Sequence, residues 1–165
     1  DPRKGGHALR AAMEEFGDDS SVHWVIFGRN PPELPANSSY FGLVSDNALL
    51  NRIYAAADLF LMPSLQESFG KTTAESLASG TPVIAFADTP AEEIISHLAS
   101  GWLVPHNSVD AFVNQVRRVV TMDRRKIRHL GLVGRESVLR RYTPRTIAEK
   151  HIAVYEELLR NRTRL

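Results

Sequence analysis

The chain contains no cysteine, which excludes disulfides and thiolate metal sites and leaves a reducing cytoplasm open to it. It has no apolar run long enough to cross a bilayer as a helix, and nothing at its start resembles a signal peptide. It has almost no charge excess either: 20 Lys plus Arg stand against 19 Asp plus Glu, for a net +1. No global field therefore argues for nucleic acid as a partner. The six histidines are scattered, with no H-E-x-x-H, so a zinc site is not indicated. No G-x-S-x-G elbow and no G-x-G-x-x-G fingerprint after a strand are present, which disfavours an α/β-hydrolase and a nicotinamide dehydrogenase. What remains is an ordinary globular composition, 43% hydrophobic and 24% charged, at a length that suits one domain with its own core.

The most informative stretch is residues 58 to 87, DLFLMPSLQESFGKTTAESLASGTPVIAFA. The apolar run Leu59 to Met62 has the length of a buried strand, Pro63 and Ser64 end it, Lys71 to Ser79 is helix-forming, and Val83 to Ala87 is a second apolar run. Strand, loop, helix and strand in that order predict a parallel α/β sheet, whose ligands bind beyond the carboxyl ends of the strands. The loop Ser64 to Gly70 is thus the place to expect chemistry. Gly70 lets a ligand approach the backbone. The helix that follows begins with free N–H groups suited to a phosphate, with Lys71, Thr72 and Thr73 in its first turn. Glu67 and Glu75, eight residues apart, are placed to accept hydrogen bonds from sugar hydroxyls. Read alone, Glu75 is equally a solvated helix residue, and its first-turn neighbours equally serve as caps.

The string P-S-x-x-E-S-F-G-x-x-x-x-E-S-L-A-S-G-T-P-V-I-A, from Pro63 to Ala85, resembles the signature of glycosyltransferase family 4, retaining enzymes of the GT-B fold. The resemblance implies that Glu67 contacts the donor sugar as the catalytic-site carboxylate. It places the backbone at Phe69 and Gly70 against the sugar and diphosphate, and Glu75 on the nucleotide ribose. It also implies that Lys4, in the pair Lys4-Gly5, is the phosphate lysine; Arg3 is adjacent, whereas the family's second cation, an arginine, usually lies several residues earlier. Gly28 would allow close backbone approach, more securely than Asn30, which replaces a family glycine. Leu43 and Val44 would line the nucleobase, their alternative being an apolar strand end in the core. Lys71, where the family more often has an apolar residue, is either a further cation on the diphosphate or a solvated lysine, and Thr72 belongs to the same phosphate-facing turn. Thr89 and Pro90 replace two glycines ahead of the family glutamate at Glu93. Proline lacks an N–H, so the donor contact made by that glycine backbone is not expected here.

On this reading residues 1–165 form one three-layer, Rossmann-like α/β domain with a parallel sheet, ending in helices. It is the carboxy-terminal, nucleotide-sugar-binding half of a GT-B enzyme, lacking the first strand and the amino-terminal acceptor domain. The donor would be a UDP- or GDP-sugar, with no metal and no further cofactor required. The family's commonest work, cell-surface polysaccharide or lipid-linked glycan synthesis, implies a cytoplasmic location at the inner membrane face. Peripheral membrane association is one reading of the basic cluster Arg117 to Arg141, a solvated helix face the other.

Two rival functions stand beside this one. Phe69-Gly70-Lys71-Thr72 ends like a P-loop and Ala87-Asp88 follows an apolar run like a Walker B, although Leu65 occupies the required first glycine. A non-catalytic nucleotide-binding module of the same fold is the other, because fold alone does not settle function.

Elsewhere, helix periodicity appears with Leu9, Ala12, Met13 and Phe16. Strands are expected at Val22 to Phe27 and Tyr40 to Val44, and a helix capped by Ser45 carries Leu49, Leu50, Ile53 and Tyr54. A strand is expected at Gly101 to Val104. Helices are expected from Asn107 or Ser108, from about Asp123 to Arg141, and from Thr143-Pro144 to about Arg160.

Overall fold

A computed structural model describes residues 2–29, 31 and 33–162. After a single 3-10 turn at Pro2–Lys4, the order is α1 (Gly6–Phe16), β1 (Trp24–Ile26), β2 (Ser38–Tyr40), α2 (Asn47–Ala56), β3 (Phe60–Met62) and α3 (Lys71–Ala78). It continues with β4 (Val83–Phe86), α4 (Ala91–Ile94), β5 (Gly101–Val104), α5 (Val109–Val120), α6 (Arg124–Arg141) and α7 (Pro144–Arg162). Among the described residues the strand pairing is parallel throughout, in two ladders: β1 with β2, and β3-β4-β5 with β4 central.

Because side chains alternate across a strand, the fully buried β4 feeds two cores. Ile84 and Phe86 join Trp102 and Val104 under α1 and α5, with Ala8, Phe16, Phe112 and Val116. Val83 and Ala85 face the other way, with Met62 of β3 and Leu77, Ile94 and Val138 from α3, α4 and α6. These are the three layers expected. Gly101 is required in β5, since a Cβ there would meet the Val83 carbonyl oxygen at 2.4 Å.

Most expected elements stand where the pattern placed them, within a residue or two. Two differ. The second strand lies at Ser38–Tyr40 rather than Tyr40 to Val44. Asn37 holds its start, donating through Nδ2 to the carbonyls of Asp19 and Val22 at 3.1 and 2.7 Å, and Gly42 ends the extended segment at φ 63°. Leu43 and Val44 are accordingly loop residues. The α2 cap is Asp46, not Ser45: its carboxylate accepts from the Ala48 N–H at 2.8 Å. Ser108 caps α5 and Thr143 accepts from the Thr146 N–H at the start of α7. Towards its end α7 exposes Ile152, Val154, Tyr155 and Leu158.

Candidate functional site

The loops that leave the carboxyl ends of the strands, together with the turn ahead of α1, form one edge of the domain, where open parallel sheets take their ligands. The amino-terminal turn is tied to the β3–α3 loop by backbone. The Leu65 and Gln66 N–H groups donate to the Arg3 carbonyl at 2.7 and 3.4 Å. Gly5, at φ 63°, lies so close to Pro63 that a Cβ would fall 1.8 Å from its carbonyl oxygen. This clamp sets Lys4 beside Glu67, with Nζ 2.5 Å from Oε1. The lysine side chain is 57% exposed and the glutamate 18%, so the pair opens to solvent on the lysine side.

The clamp also bears on the P-loop alternative. A phosphate cradle needs inward-facing loop N–H groups, and here those of Leu65 and Gln66 are spent on Arg3. The loop does not have the form of a nucleotide triphosphate cradle.

Gly70 is buried and caps α3 in the left-handed conformation, φ 84° and ψ 47°, with no side chain bonded to the helix end. The Ala74 N–H is satisfied by the Gly70 carbonyl at 3.2 Å, and the three N–H groups before it point out of the helix, as at any helix start. Phe69 is 42% exposed and packs edge to face on Tyr142, centroids 5.3 Å apart, which anchors the loop to the α6–α7 junction. Thr72 turns its hydroxyl away, onto the Met62 sulfur at 3.3 Å, so its backbone N–H is the group it can offer a phosphate. Thr73 is fully buried, with its Oγ1 unpartnered among the described residues.

Glu75 lies one turn further along α3. Its Oε1 is 3.2 Å from Lys71 Nζ, an i,i+4 pair, while the Tyr54 hydroxyl makes a long contact to Oε2 at 3.5 Å. Burial, and then the neighbouring Glu75 charge, hold the Tyr54 phenol well above its ordinary value. Tyr54 therefore remains a donor to the carboxylate at any physiological pH. Its ring packs edge on to Phe27 and Phe60, at 5.5 and 5.2 Å, joining α3 to the end of β1.

Gly28 follows β1 at φ 118°, a conformation that favours glycine, with open space where a Cβ would be. Its N–H donates to the Gly42 carbonyl at 2.7 Å, which brings the Gly28 and Leu43 loops side by side. Leu43 is 64% exposed and Val44 half-buried; neither belongs to a core cluster. Asn30 lies outside the described residues.

In the Thr89-Pro90 turn, Thr89 Oγ1 donates to the Phe86 carbonyl at 2.8 Å and accepts from the Ala91 N–H at 3.4 Å. With proline lacking an N–H, this turn is poor in free donors, as the two substitutions imply. Glu93 offers its carbonyl, not its carboxylate, to the rest of the fold, accepting from the Tyr142 hydroxyl at 3.1 Å and from Arg141.

The structure thus brings Lys4 and Glu67 together, and Lys71 with Glu75, around the start of α3. Tyr54 was not singled out from sequence as a site residue; its only local signal is a position on the buried face of α2.

Comparison with known proteins agrees with this architecture. Residues 1–122 match the family model described as glycosyl transferases group 1. The GDP-mannose-dependent alpha-mannosyltransferase of Mycolicibacterium smegmatis is 33% identical over 116 residues, 70% of this chain and 30% of that protein. The phosphatidyl-myo-inositol mannosyltransferase of Mycobacterium leprae is 31% identical over 169 residues, 94% of this chain and 44% of that one. Among solved structures, sucrose-phosphate synthase from Thermosynechococcus elongatus superimposes with a TM-score of 0.82 at 28% identity, covering 98% of this chain and 44% of that chain. The chain spans less than half the length of these relatives. The family match covers well over half of the chain, includes the whole Pro63 to Ala85 signature and falls on the same fold: the chain belongs to the group 1 glycosyl transferases.

Proposed function

We propose that this chain is the donor-binding part of a glycosyltransferase that moves a glycosyl group from a nucleoside-diphosphate sugar to an acceptor hydroxyl. The observation that carries the reading is the Lys4–Glu67 pair, 2.5 Å apart, at the uncapped amino terminus of α3. A cation and open N–H groups suit a diphosphate, and a carboxylate beside them suits the hydroxyls of the attached sugar.

In this proposal the diphosphate lies against the Lys71, Thr72 and Thr73 N–H groups and draws the Lys4 ammonium from Glu67. The freed carboxylate accepts from the sugar hydroxyls. Glu75, held by Tyr54 and Lys71, accepts from the ribose hydroxyls, and the base lies over Leu43 and Val44 beside Gly28. When the glycosyl bond breaks, negative charge grows on the departing diphosphate. A fixed cation and helix terminus stabilise that charge without reorganising. Retention of configuration, a UDP- or GDP-linked donor, a role in cell-surface polysaccharide or glycolipid synthesis, and a cytoplasmic site of action complete the proposal. Its support is the resemblance of the signature, together with the mannosyltransferase relatives, one of them named for GDP-mannose. A second domain would supply the acceptor site, in keeping with the fraction of each relative that the chain covers.

Calorimetric titration with UDP, GDP, ADP and ATP, each with and without magnesium, tests the reading. Saturable binding of UDP or GDP without magnesium is expected, with Glu75→Ala weakening it by about 1 to 3 kcal/mol, the size of a lost hydrogen bond to a charged group. Binding of ATP alone, dependent on magnesium and lost in Lys71→Ala, would overturn it.

A further inference from the structure

The outer face of α6 has no part in the donor site. It packs inward through Ile127, Gly131, Gly134 and Val138. Outward, at three- and four-residue spacing along one row, stand Arg125, Arg128, Leu132, Arg135 and Leu139, all exposed. Arg124 and Lys126 flank the row at its start. Among the described residues, none of these five cations has a salt-bridge partner; the ion pair on this helix is that of Arg140 with Glu136. With Arg140 and Arg141 added and Glu136 the single acid, α6 is far more basic than the chain's net +1, so the remainder of the chain taken alone is acidic. The cations are gathered here rather than spread.

Leu132 and Leu139, 52% and 47% exposed, decide what the face fits. They lie two turns apart between the arginines, where water gains nothing from them. A phosphodiester backbone would use the guanidinium groups and leave the leucines idle, and the face has no Trp, Tyr or Phe to stack on a base. At a bilayer surface both kinds of side chain are used: leucines enter the boundary of the acyl chains while arginines reach the headgroup phosphates. We propose that this face of α6 docks the chain on the anionic surface of a lipid bilayer. The contact is electrostatic in reach and short in depth, so it is reversible and sensitive to salt.

Flotation with extruded vesicles tests this, comparing phosphatidylcholine alone with a three-to-one mixture of phosphatidylcholine and phosphatidylglycerol. The chain should float with the mixed vesicles only, and raising the salt should release most of it. The triple variant Arg125→Glu, Arg128→Glu, Arg135→Glu should bind at least about a hundredfold more weakly, at roughly fivefold for each arginine lost near an anionic surface. Leu132→Ser with Leu139→Ser should weaken binding while leaving the dependence on phosphatidylglycerol. These side chains are exposed, and an unchanged thermal melt would verify that the variants fold. Failure to float with mixed vesicles, or equal flotation of the triple variant, would overturn the proposal. So would tighter binding to a single-stranded oligonucleotide than to the vesicles, lost in the same variant. None of these readouts depends on donor binding.

Discussion

Replacing Glu67 by glutamine separates two roles that the free protein folds into one contact. In the structure Glu67 occupies the lysine that a diphosphate would need, so bare nucleotide and sugar nucleotide should respond with opposite sign. At 2.5 Å the pair is close, but its lysine is more than half exposed. Solvent screening holds such a pair to about 0 to 1 kcal/mol. Freeing Lys4 should therefore raise affinity for UDP or GDP slightly, by up to about fivefold. A sugar nucleotide would gain the same freed lysine but lose hydrogen bonds to a charged acceptor, worth about 1.5 to 3 kcal/mol. The net loss is about 0.5 to 3 kcal/mol, or roughly two- to 160-fold in Kd. Parallel calorimetric titrations of UDP against UDP-glucose, and of GDP against GDP-mannose, read both effects on one protein preparation. Equal weakening of both members of a pair would refute the argument, since Glu67 would then be organising the phosphate site rather than competing for it.

Other substitutions probe the frame around that contact. Gly5→Ala should cost more than about 1 to 2 kcal/mol, the penalty of a left-handed alanine alone, because its Cβ would also collide with the Pro63 carbonyl; urea unfolding and nucleotide titration should fall together, and an unchanged midpoint would refute the clamp. Asp46→Ala should lower stability by about 1 kcal/mol through loss of the α2 cap, with Ser45→Ala close to neutral in the same unfolding assay. In an alkaline spectrophotometric titration, one of the four tyrosines should ionise later than the rest, and Tyr54→Phe should remove that late step. Since the folded pKa of Tyr54 is raised above its ordinary value of 10.0, its contribution to stability is present below about pH 10 and is lost as pH rises beyond it.

How far the sequence disclosed this molecule depended on how local each cause is. The β3–α3–β4 unit was legible because strand, proline, helix former and glycine each act within a few residues, and Gly70 and Gly80, both at positive φ, bound the helix. Strand β2 was not. Ser38 and Ser39 carry no strand signature, and their extended course is set by the three carbonyls that Asn37 reaches from a distant turn. At α2 two adjacent residues were both competent caps, and only geometry selects Asp46. The site divides in the same way. Glu67, Gly70 and Glu75 belong to one contiguous signature, while the contact of Lys4 with Glu67 spans 63 residues and rests on a glycine pressed against a proline carbonyl. Tyr54 was visible as a core residue, but its reach to Glu75 across two helices was not. Thr72 shows the limit of reading a hydroxyl by its position, because a nearby sulfur took it.

Where α6 crosses the end of α3, a Cβ on Gly131 would lie 1.9 Å from the Gly80 carbonyl oxygen, and one on Gly134 2.6 Å from the Leu77 side chain. Main chain therefore meets main chain at that crossing, and the helix cannot roll about its own axis without collision. Its orientation is set by what glycine leaves out rather than by which side chains it carries outside. Residues on the solvent side can be exchanged for other helix-forming residues and still face the same way, so the charge and greasiness of that surface can be retuned, by selection or by design, without disturbing the loop that leads into α3.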